Sequence, residues 1–369
     1  MNTTCNKIFL DSPNVGDLEK KYLAEAIDSS YVSTFGPYVE KFEKKVANYL
    51  GLSTAVSVQS GTSAIYMALY SLGIGAGDEV IVPALTFVAS VNPVLYVGAT
   101  PVFVDVDKNS WNIDPKEIEK KISSKTKAII PVHFYGNPCD MDKIIDIANK
   151  YNLAIIEDAA ESLGATYKEQ YTGTFGDFGC FSFNGNKIIT TGGGGLVVGK
   201  DINKLKYIKF LVNQARDEEK GYFHPELGFN FRMTNLEASL GLAQFERLEE
   251  FLDKKRKFNK IYRQELADID FIKFQECYDG VESSYWLNSI IFDRDIDINE
   301  LQKKLKDYDI PTRRIFMPIT EFPYFDVKNK EEYKNSYYVY GHGLCLPSST
   351  LNTEEQIIYI ANKLKEILL

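Results

Sequence analysis

The segment Phe181-Ser182-Phe183-Asn184-Gly185-Asn186-Lys187 begins within an apolar run at 179–183. It is followed by the glycine run Gly192 to Gly195 and by a second apolar run at 195–199. Short apolar runs bounded by turn residues predict β-strands. Lys187 therefore follows the end of one strand, with a hydroxyl five residues before it and flexible backbone after it. The glycine run leads directly into the next strand. This order of strand, turn and strand predicts that the lysine is held just beyond the end of a buried strand.

A regular sequence pattern extends in both directions from this segment. Short runs rich in β-branched residues alternate with helical patterns such as 64–72 and 140–151, which is typical of a mainly parallel sheet covered by helices. The fold class is therefore α/β. Ligands of such sheets bind at the carboxyl ends of the strands. The predicted strands are 54–58, 79–82, 101–106, 127–132, 153–157, 179–183 and 195–199.

The pattern changes after residue 235. A single long amphipathic helix is predicted over 236–266, and its charged middle indicates a solvated face or a domain connection. We place a domain boundary near residue 250, between a large domain (1–250) and a smaller C-terminal α+β domain (251–369). An extended run at 285–293 and helices at 299–308 and 354–368 are predicted in the smaller domain.

Composition excludes several classes of protein. A net charge of −9 disfavours nucleic-acid binding, because such proteins need surplus Lys and Arg to neutralise phosphates. No apolar run approaches the roughly 20 residues that span a bilayer, so no membrane contact is expected. The start of the chain lacks the apolar core of a signal peptide, which predicts a cytoplasmic protein.

Two groups of residues at predicted strand ends could hold a charged ligand. Gly61, Thr62 and Ser63 begin a helix, where unpaired N–H groups and the helix dipole favour a phosphate. The alternative is an ordinary N-cap formed by Thr62 or Ser63. Asp158 and Glu161 end the apolar run at 153–157, and Asp158 could pair with a pyridinium nitrogen. Its alternatives are a helix N-cap or a metal ligand, although no further ligands gather around His133, the histidine near a strand end, so no metal is expected.

Phe87 and Lys187 complete the set. Phe87 follows the run at 79–82 and could stack on an aromatic ring, although core packing is the commoner fate of phenylalanine. Lys187 is placed like the Schiff-base lysine of a pyridoxal-phosphate (PLP) enzyme, with Ser182 as a further phosphate ligand. The alternative for Lys187 is a surface lysine. The glycine run does not fit a dinucleotide-binding loop, because it leads into a strand rather than out of one into a helix.

Taken together, these segments resemble the DegT/DnrJ/EryC1/StrS sugar aminotransferases, which have the type I fold of PLP enzymes. The likeness extends over nearly the whole chain. The segments that carry it are 31–37, 60–64, 83–89, 157–161, 181–187, 228–235 and 345–348.

The resemblance implies a role for each candidate residue. Lys187 would form the Schiff base with PLP, Asp158 would bind the pyridine nitrogen and Phe87 would stack on the ring. Gly61, Thr62, Ser63 and Ser182 would hold the phosphate, and Glu161 would lie near the ring hydroxyl. Family members are homodimers with a shared active site, so Asn230 or Arg232 would reach the partner subunit's phosphate or substrate.

The resemblance also implies the reaction. Glutamate would donate an amino group to the C4 ketone of a nucleotide-linked 4-keto-6-deoxy sugar for surface glycan or lipopolysaccharide biosynthesis. Segments 183–195 and 213–216 are most like enzymes that act on UDP-4-keto-6-deoxy-N-acetylglucosamine. The alternatives are a GDP-perosamine synthase, a sugar dehydratase and a non-catalytic relative, and Lys187 favours amino transfer over dehydration. The diphosphate needs cationic partners, for which the candidates, with surface ion pairs as the alternative, are Arg216, Arg232, Arg313 and Arg314.

Overall fold

The structure is a computed structural model that describes residues 7–369. The first six residues, on which most of the prediction about a signal peptide rests, lie outside the described part. The helices of the described part are α1 Asp17–Asp28, α2 Pro37–Tyr49, α3 Gly61–Ser71, α4 Asn92–Tyr96, α5 Pro115–Lys121, α6 Met141–Tyr151, α7 Ile202–Val212, α8 Asn235–Glu246, α9 Leu248–Glu265, α10 Ile298–Lys306, α11 Lys334–His342 and α12 Glu354–Leu368. The strands are β1 Ala55–Val58, β2 Glu79–Pro83, β3 Thr100–Val104, β4 Thr126–Ile129, β5 Ala154–Asp158, β6 Thr166–Tyr167, β7 Gln170–Tyr171, β8 Phe178–Ser182, β9 Gly195–Val198, β10 Ile272–Phe274, β11 Val281–Glu282, β12 Ser289–Phe292, β13 Arg313–Arg314 and β14 Gly343–Cys345.

The predicted α/β fold is confirmed by the central sheet. Within residues 7–369 this sheet has seven strands in the order β1-β9-β8-β5-β4-β2-β3. Strands β3, β2, β4, β5 and β8 run parallel to one another, whereas β9 is antiparallel to both β8 and β1. Each of the seven predicted strands is present. Strands buried on both faces read as continuous apolar runs, which is why the sequence pattern located them.

The lysine segment, residues 181–187, lies at the carboxyl end of β8, where the chain reverses direction before β9. After β8 the chain turns through residues 183–194 before it re-enters the sheet as β9. Gly192 and Gly194 have φ angles of +89° and +90°, a region that side chains with a Cβ rarely adopt. The glycine run therefore supplies the backbone conformations with which the chain re-enters the sheet as β9.

The prediction of one helix over 236–266 is wrong. The structure has two helices, α8 and α9, that meet at Arg247, whose φ and ψ are −105° and 7°. The two helices have different packing partners, because α8 lies against α1 and α2 whereas α9 lies against α12. Arg247 also bonds to the buried Glu19 of α1, with Nη1 3.1 Å from Oε1. Tertiary contacts therefore end α8 where the helical pattern of the sequence continues.

The C-terminal part forms a second, antiparallel sheet with the order β10-β12-β14-β13. Its core contains residues of α9, α10 and α12 and also Ile8 from the beginning of the described chain. The predicted helices at 299–308 and 354–368 correspond to α10 and α12. The division of the chain at residue 250 stays a prediction. In the described part of the chain no helix is both long and apolar enough to cross a bilayer.

Candidate active site

A cavity of 490 Å³ opens where the carboxyl ends of β2, β5 and β8 meet the N-terminus of α3. Most of the residues predicted from the sequence line it. These are Gly61, Thr62, Phe87, Asp158, Glu161, Ser182, Lys187 and Arg313. Residues far apart in the chain thus face one enclosed space, as expected for strand ends of a parallel sheet.

The N-terminus of α3 forms one wall of the cavity. Its N-cap is Ser60, and neither Thr62 nor Ser63 serves as the cap: the Ser60 Oγ accepts a hydrogen bond from the Ser63 backbone N–H at 3.0 Å. The Ser63 hydroxyl is held 2.9 Å from the Ser60 Oγ, and Ser63 is not among the residues lining the cavity. Gly61 has no room for a side chain, because a Cβ there would lie 2.9 Å from the Cβ of Ser182. The hydroxyls of Thr62 and Ser182 therefore share the cavity wall with the positive end of the helix dipole, which suits a phosphate.

Asp158 lies at the end of β5, and its carboxylate is fixed from two sides. The Ser90 hydroxyl donates to Oδ2 at 2.6 Å and the Ala160 N–H donates to Oδ1 at 3.1 Å. No helix follows β5 directly, so Asp158 is not an N-cap. Ser90 belongs to the 3₁₀ helix Val88–Ser90 behind Phe87 and was missed as a site residue. An acid at this position, oriented by a hydroxyl, is able to pair with a protonated ring nitrogen.

The neighbouring Glu157 has a structural role instead. Its buried carboxylate accepts three backbone N–H groups from residues 173–176, at 2.7 to 2.8 Å, and lies 3.0 Å from Nε2 of His133. Nδ1 of His133 accepts the Cys139 N–H at 3.1 Å, so Nε2 carries the proton and donates to Glu157. Among the residues that the structure describes, no group of three His, Cys, Asp or Glu side chains could hold a metal ion.

Lys187 extends into the cavity and has two close partners there. Its Nζ lies 3.6 Å from Oε1 of Glu161 and 3.9 Å from the centroid of the Trp286 ring. Only 12% of the lysine side chain is exposed, so Lys187 is not a surface lysine. The other oxygen of Glu161 accepts the Tyr135 N–H at 2.8 Å. Burial raises the pKa of Glu161 to about 7, although the nearby Lys187 lowers it.

Phe87 lies at the mouth of the cavity and is 50% exposed, so it is not a core residue. Its ring is 5.4 Å from the ring of Phe316, centroid to centroid. An apolar face left open beside Asp158 and Lys187 can contact a planar ring.

The four candidate arginines occupy different places. Arg313 lines the cavity, and its Nη1 lies 2.8 Å from Oδ2 of Asp11. Arg314, next on the same strand, points to the other face and bonds to Asn299 and to the Tyr340 carbonyl. Arg216 and Arg232 do not line this cavity. They stay predictions as substrate ligands.

Asn230 and Arg232 lie on another part of the surface. Asn230 is exposed, and Arg232 lines a separate hollow of 530 Å³ together with Tyr31 and Phe35. The Arg232 Nη1 is 3.2 Å from Oδ1 of Asn213. These residues do not reach the cavity of their own chain, so their predicted roles depend on a partner subunit.

The cavity thus offers a phosphate site, an acid for a ring nitrogen, an aromatic face and a buried lysine, which together fit PLP. The model of the DegT/DnrJ/EryC1/StrS aminotransferase family matches residues 13–365 of this chain. The chain belongs to this family.

Named relatives of this chain support the same family assignment. GDP-perosamine synthase from Escherichia coli O157:H7 is 41% identical over 354 residues, which is 96% of each chain. GDP-perosamine synthase from Caulobacter vibrioides is 38% identical over 98% of each chain. Among solved structures, the putative sugar aminotransferase Spr1654 from Streptococcus pneumoniae in its PMP form aligns with a TM-score of 0.92 and 27% identity, covering 98% of this chain and 97% of its own.

These findings confirm the predicted chemistry at the level of the family. This DegT/DnrJ/EryC1/StrS protein is a PLP-dependent sugar aminotransferase with the type I fold. The structure brings together most of the predicted cofactor residues. It adds Ser60, Ser90 and Trp286, whose positions depend on contacts between distant segments.

Proposed function

We propose that this aminotransferase transfers the amino group of glutamate to the C4 ketone of GDP-4-keto-6-deoxymannose, giving GDP-perosamine for surface glycan biosynthesis. The observation that carries amino transfer is the buried Lys187 amine, 3.6 Å from Glu161 in the cavity that Asp158 and Ser182 also line. The sugar is inferred from the two relatives named GDP-perosamine synthase. The UDP-linked sugar first expected from segments 183–195 and 213–216 becomes the second candidate.

We assign the cofactor to the cavity residues by their chemistry. The N-terminal N–H groups of α3 and the hydroxyls of Thr62 and Ser182 would hold the PLP phosphate. Asp158, oriented by Ser90, would hold the pyridinium nitrogen. Phe87 would cover one face of the ring, and Glu161 would lie near the ring hydroxyl.

Bound PLP supplies an electron sink that makes a proton on the adjacent substrate carbon removable. Nζ of Lys187 would take that proton from the substrate carbon and return it at the cofactor carbon bonded to the same nitrogen, so that one base would serve both positions. Burial raises the pKa of the Glu161 carboxyl to about 7, and its Oε1 lies 3.6 Å from the Lys187 amine, close enough to orient that amine. Low exposure of both side chains limits the access of water to the Lys187 amine.

The substrate diphosphate needs cations at the cavity mouth. Arg313 is the candidate supplied by the same chain, since it lines the cavity. We propose that the enzyme is a cytoplasmic homodimer in which Asn230, Arg216 and Arg232 of one subunit face the cavity of the other. Asn230 is exposed, and none of the three residues lines the cavity of its own chain. Both observations support this assignment.

The role of Lys187 is tested by the absorbance band of bound PLP. We expect the purified protein reconstituted with PLP to show this band and the Lys187→Ala variant to lose it. Lys204→Ala is the matched control, because Lys204 is tied to Asp177 at 3.2 Å and does not line the cavity. A full band in Lys187→Ala would contradict the proposed function.

The substrate is tested separately. The pyridoxamine-phosphate form is mixed with the GDP-linked 4-keto-6-deoxymannose or with UDP-4-keto-6-deoxy-N-acetylglucosamine, and the return of the PLP band is followed. We expect fast return with the GDP-linked sugar alone. Return with the UDP-linked sugar alone would support the second candidate, and no return with either would exclude both.

A further inference from the structure

Trp286 contacts the segment of Lys187 at two points. The indole ring lies 3.9 Å from Nζ of Lys187, and its Nε1–H donates to the carbonyl oxygen of Asn186 at 2.6 Å. One side chain thus holds both the amine and the peptide group that precedes it. The attraction between a cation and an aromatic face grows as water is removed, and Trp286 is only 1% exposed.

The segment that carries Trp286 is itself fixed against the active site. The Ser284 N–H donates to the Gly136 carbonyl at 3.1 Å, and the Ser284 hydroxyl donates to the Glu161 carbonyl at 3.1 Å. Tyr285 has a φ of +47°, an unusual value for this residue type, which turns the chain between these bonds and the indole. Trp286 is therefore fixed to the backbone of the same Glu161 whose carboxylate contacts Lys187.

A buried lysine also holds the backbone of Trp286. The Lys255 ammonium donates to the carbonyls of Trp286 and Ser348, at 3.0 and 2.9 Å. Burial lowers the pKa of Lys255 to about 8, but a neutral amine still has N–H groups to donate. Both acceptors are carbonyl groups, so Lys255 stabilises the backbone of this segment.

We propose that Trp286 is a positioning residue for amino transfer, which holds the Lys187 amine beside Glu161 whenever that amine is free. This inference rests on the proposed role of Lys187. A free lysine amine can adopt many rotamers, and a proton transfer needs it in one place. The indole face and the Glu161 oxygen, at 3.9 and 3.6 Å from Nζ, together restrict it.

The first test is spectroscopic and uses the cofactor-free protein. The chain contains two tryptophans, so Trp111→Phe leaves Trp286 as the single one. In that background we expect Lys187→Met to shift or change the intensity of the tryptophan emission, because it removes the cation from the indole face. Lys204→Met is the control and should leave the emission unchanged. Identical emission from the Lys187 variant and its parent would overturn the contact.

The second test separates positioning from packing. Trp286→Phe keeps a weaker aromatic face without the N–H, and Trp286→Leu removes both. For the half-reaction with glutamate we expect the first-order rate constant to fall about 3- to 30-fold in Trp286→Leu, with Trp286→Phe in between. The KM for glutamate should stay within about twofold, since Trp286 is assigned to the Lys187 segment and not to glutamate binding.

The control for a general packing defect is Trp111→Phe, which alters the other buried tryptophan outside the cavity. It should retain the parent rate. A wild-type rate in Trp286→Leu, or a rise in KM without a fall in rate, would overturn the inference while the Lys187-dependent band remains. If Trp286→Leu does not fold, Trp286→Phe and the emission test decide. A PLP absorbance band that does not depend on Lys187 would instead refute the proposed function.

Discussion

At the scale of single residues, the electrostatics of the site centre on Glu161. This carboxyl is 5% exposed, and its pKa is raised from 4.5 to about 7, mainly by burial. Between these two pH values the folded protein holds a proton that the unfolded chain releases. The stability that this proton confers is present at low pH and is lost as the pH rises through 7.

Glu161→Gln removes this titration and keeps an oxygen for the Tyr135 N–H. We expect the free energy of unfolding of the variant, relative to that of the parent, to rise by about 2–3 kcal/mol between pH 4.5 and about pH 8. Urea unfolding of the cofactor-free proteins across this range measures the difference. Glu300→Gln, with a side chain 62% exposed, should show no such trend. A constant difference would mean that Glu161 titrates normally.

Ser90 is the second residue whose role can be isolated. Its hydroxyl donates to Oδ2 of Asp158 at 2.6 Å, and hydrogen bonds to a charged group are stronger than neutral ones. We expect Ser90→Ala to weaken PLP binding about tenfold, as measured by titrating the cofactor-free protein. Ser71→Ala is the control, because Ser71 bonds to the Ala68 carbonyl within α3. Equal affinities for the two variants would exclude an orienting role for Ser90.

Much of the site could be predicted because its main residues follow strands, where the sequence pattern is strong. Lys187, Asp158 and Phe87 were found in this way, and each lines the cavity. Trp286 could not be predicted in this way, because its partner Asn186 lies 100 positions away in the sequence. Arg216 and Arg232 remain predictions, because neither lines the cavity of its own chain.

At the scale of secondary structure elements, the cavity depends on the close approach of α3 and β8. Gly61 and Ser182 meet at this contact. The strands were predictable from their apolar runs, whereas the break between α8 and α9 was not. The helix ends at Arg247 because neighbouring elements pack on its two halves, and that information is not local in the sequence.

Gly61→Ala tests this contact. The added Cβ would lie 2.9 Å from the Cβ of Ser182, so α3 and β8 must separate and the phosphate ligands move apart. We expect PLP affinity to fall at least about tenfold, measured by the same titration. Gly185→Ala is the matched control in the lysine segment, since nothing lies within 4 Å of a Cβ there. Retained affinity in Gly61→Ala would show that the site tolerates this displacement.

At the scale of the whole molecule, the beginning of the described chain connects the C-terminal sheet to the active site. Asp11 accepts from Arg313 of β13 at 2.8 Å and from the amide of Asn186 at 3.1 Å, next to Lys187. Ile8 lies in the C-terminal core. The smaller predicted domain, 251–369, therefore shares its core with residues from the start of the chain, a pairing that local sequence patterns do not reveal.

Asn352 fixes this connection. Its Oδ1 accepts the Phe9 N–H at 2.9 Å and its Nδ2 donates to the Phe9 carbonyl at 2.7 Å, so one buried amide satisfies both backbone groups. Asn352→Ala leaves both groups unpaired, and we expect a loss of about 2–4 kcal/mol in the free energy of unfolding. Urea unfolding measures it, with Asn329→Ala as the control, because Asn329 is exposed and bonds to Glu332. Because Asp11 follows Phe9 closely in the chain, PLP affinity should fall together with stability in Asn352→Ala. Unchanged stability would show that the N-terminal segment is not held by this amide.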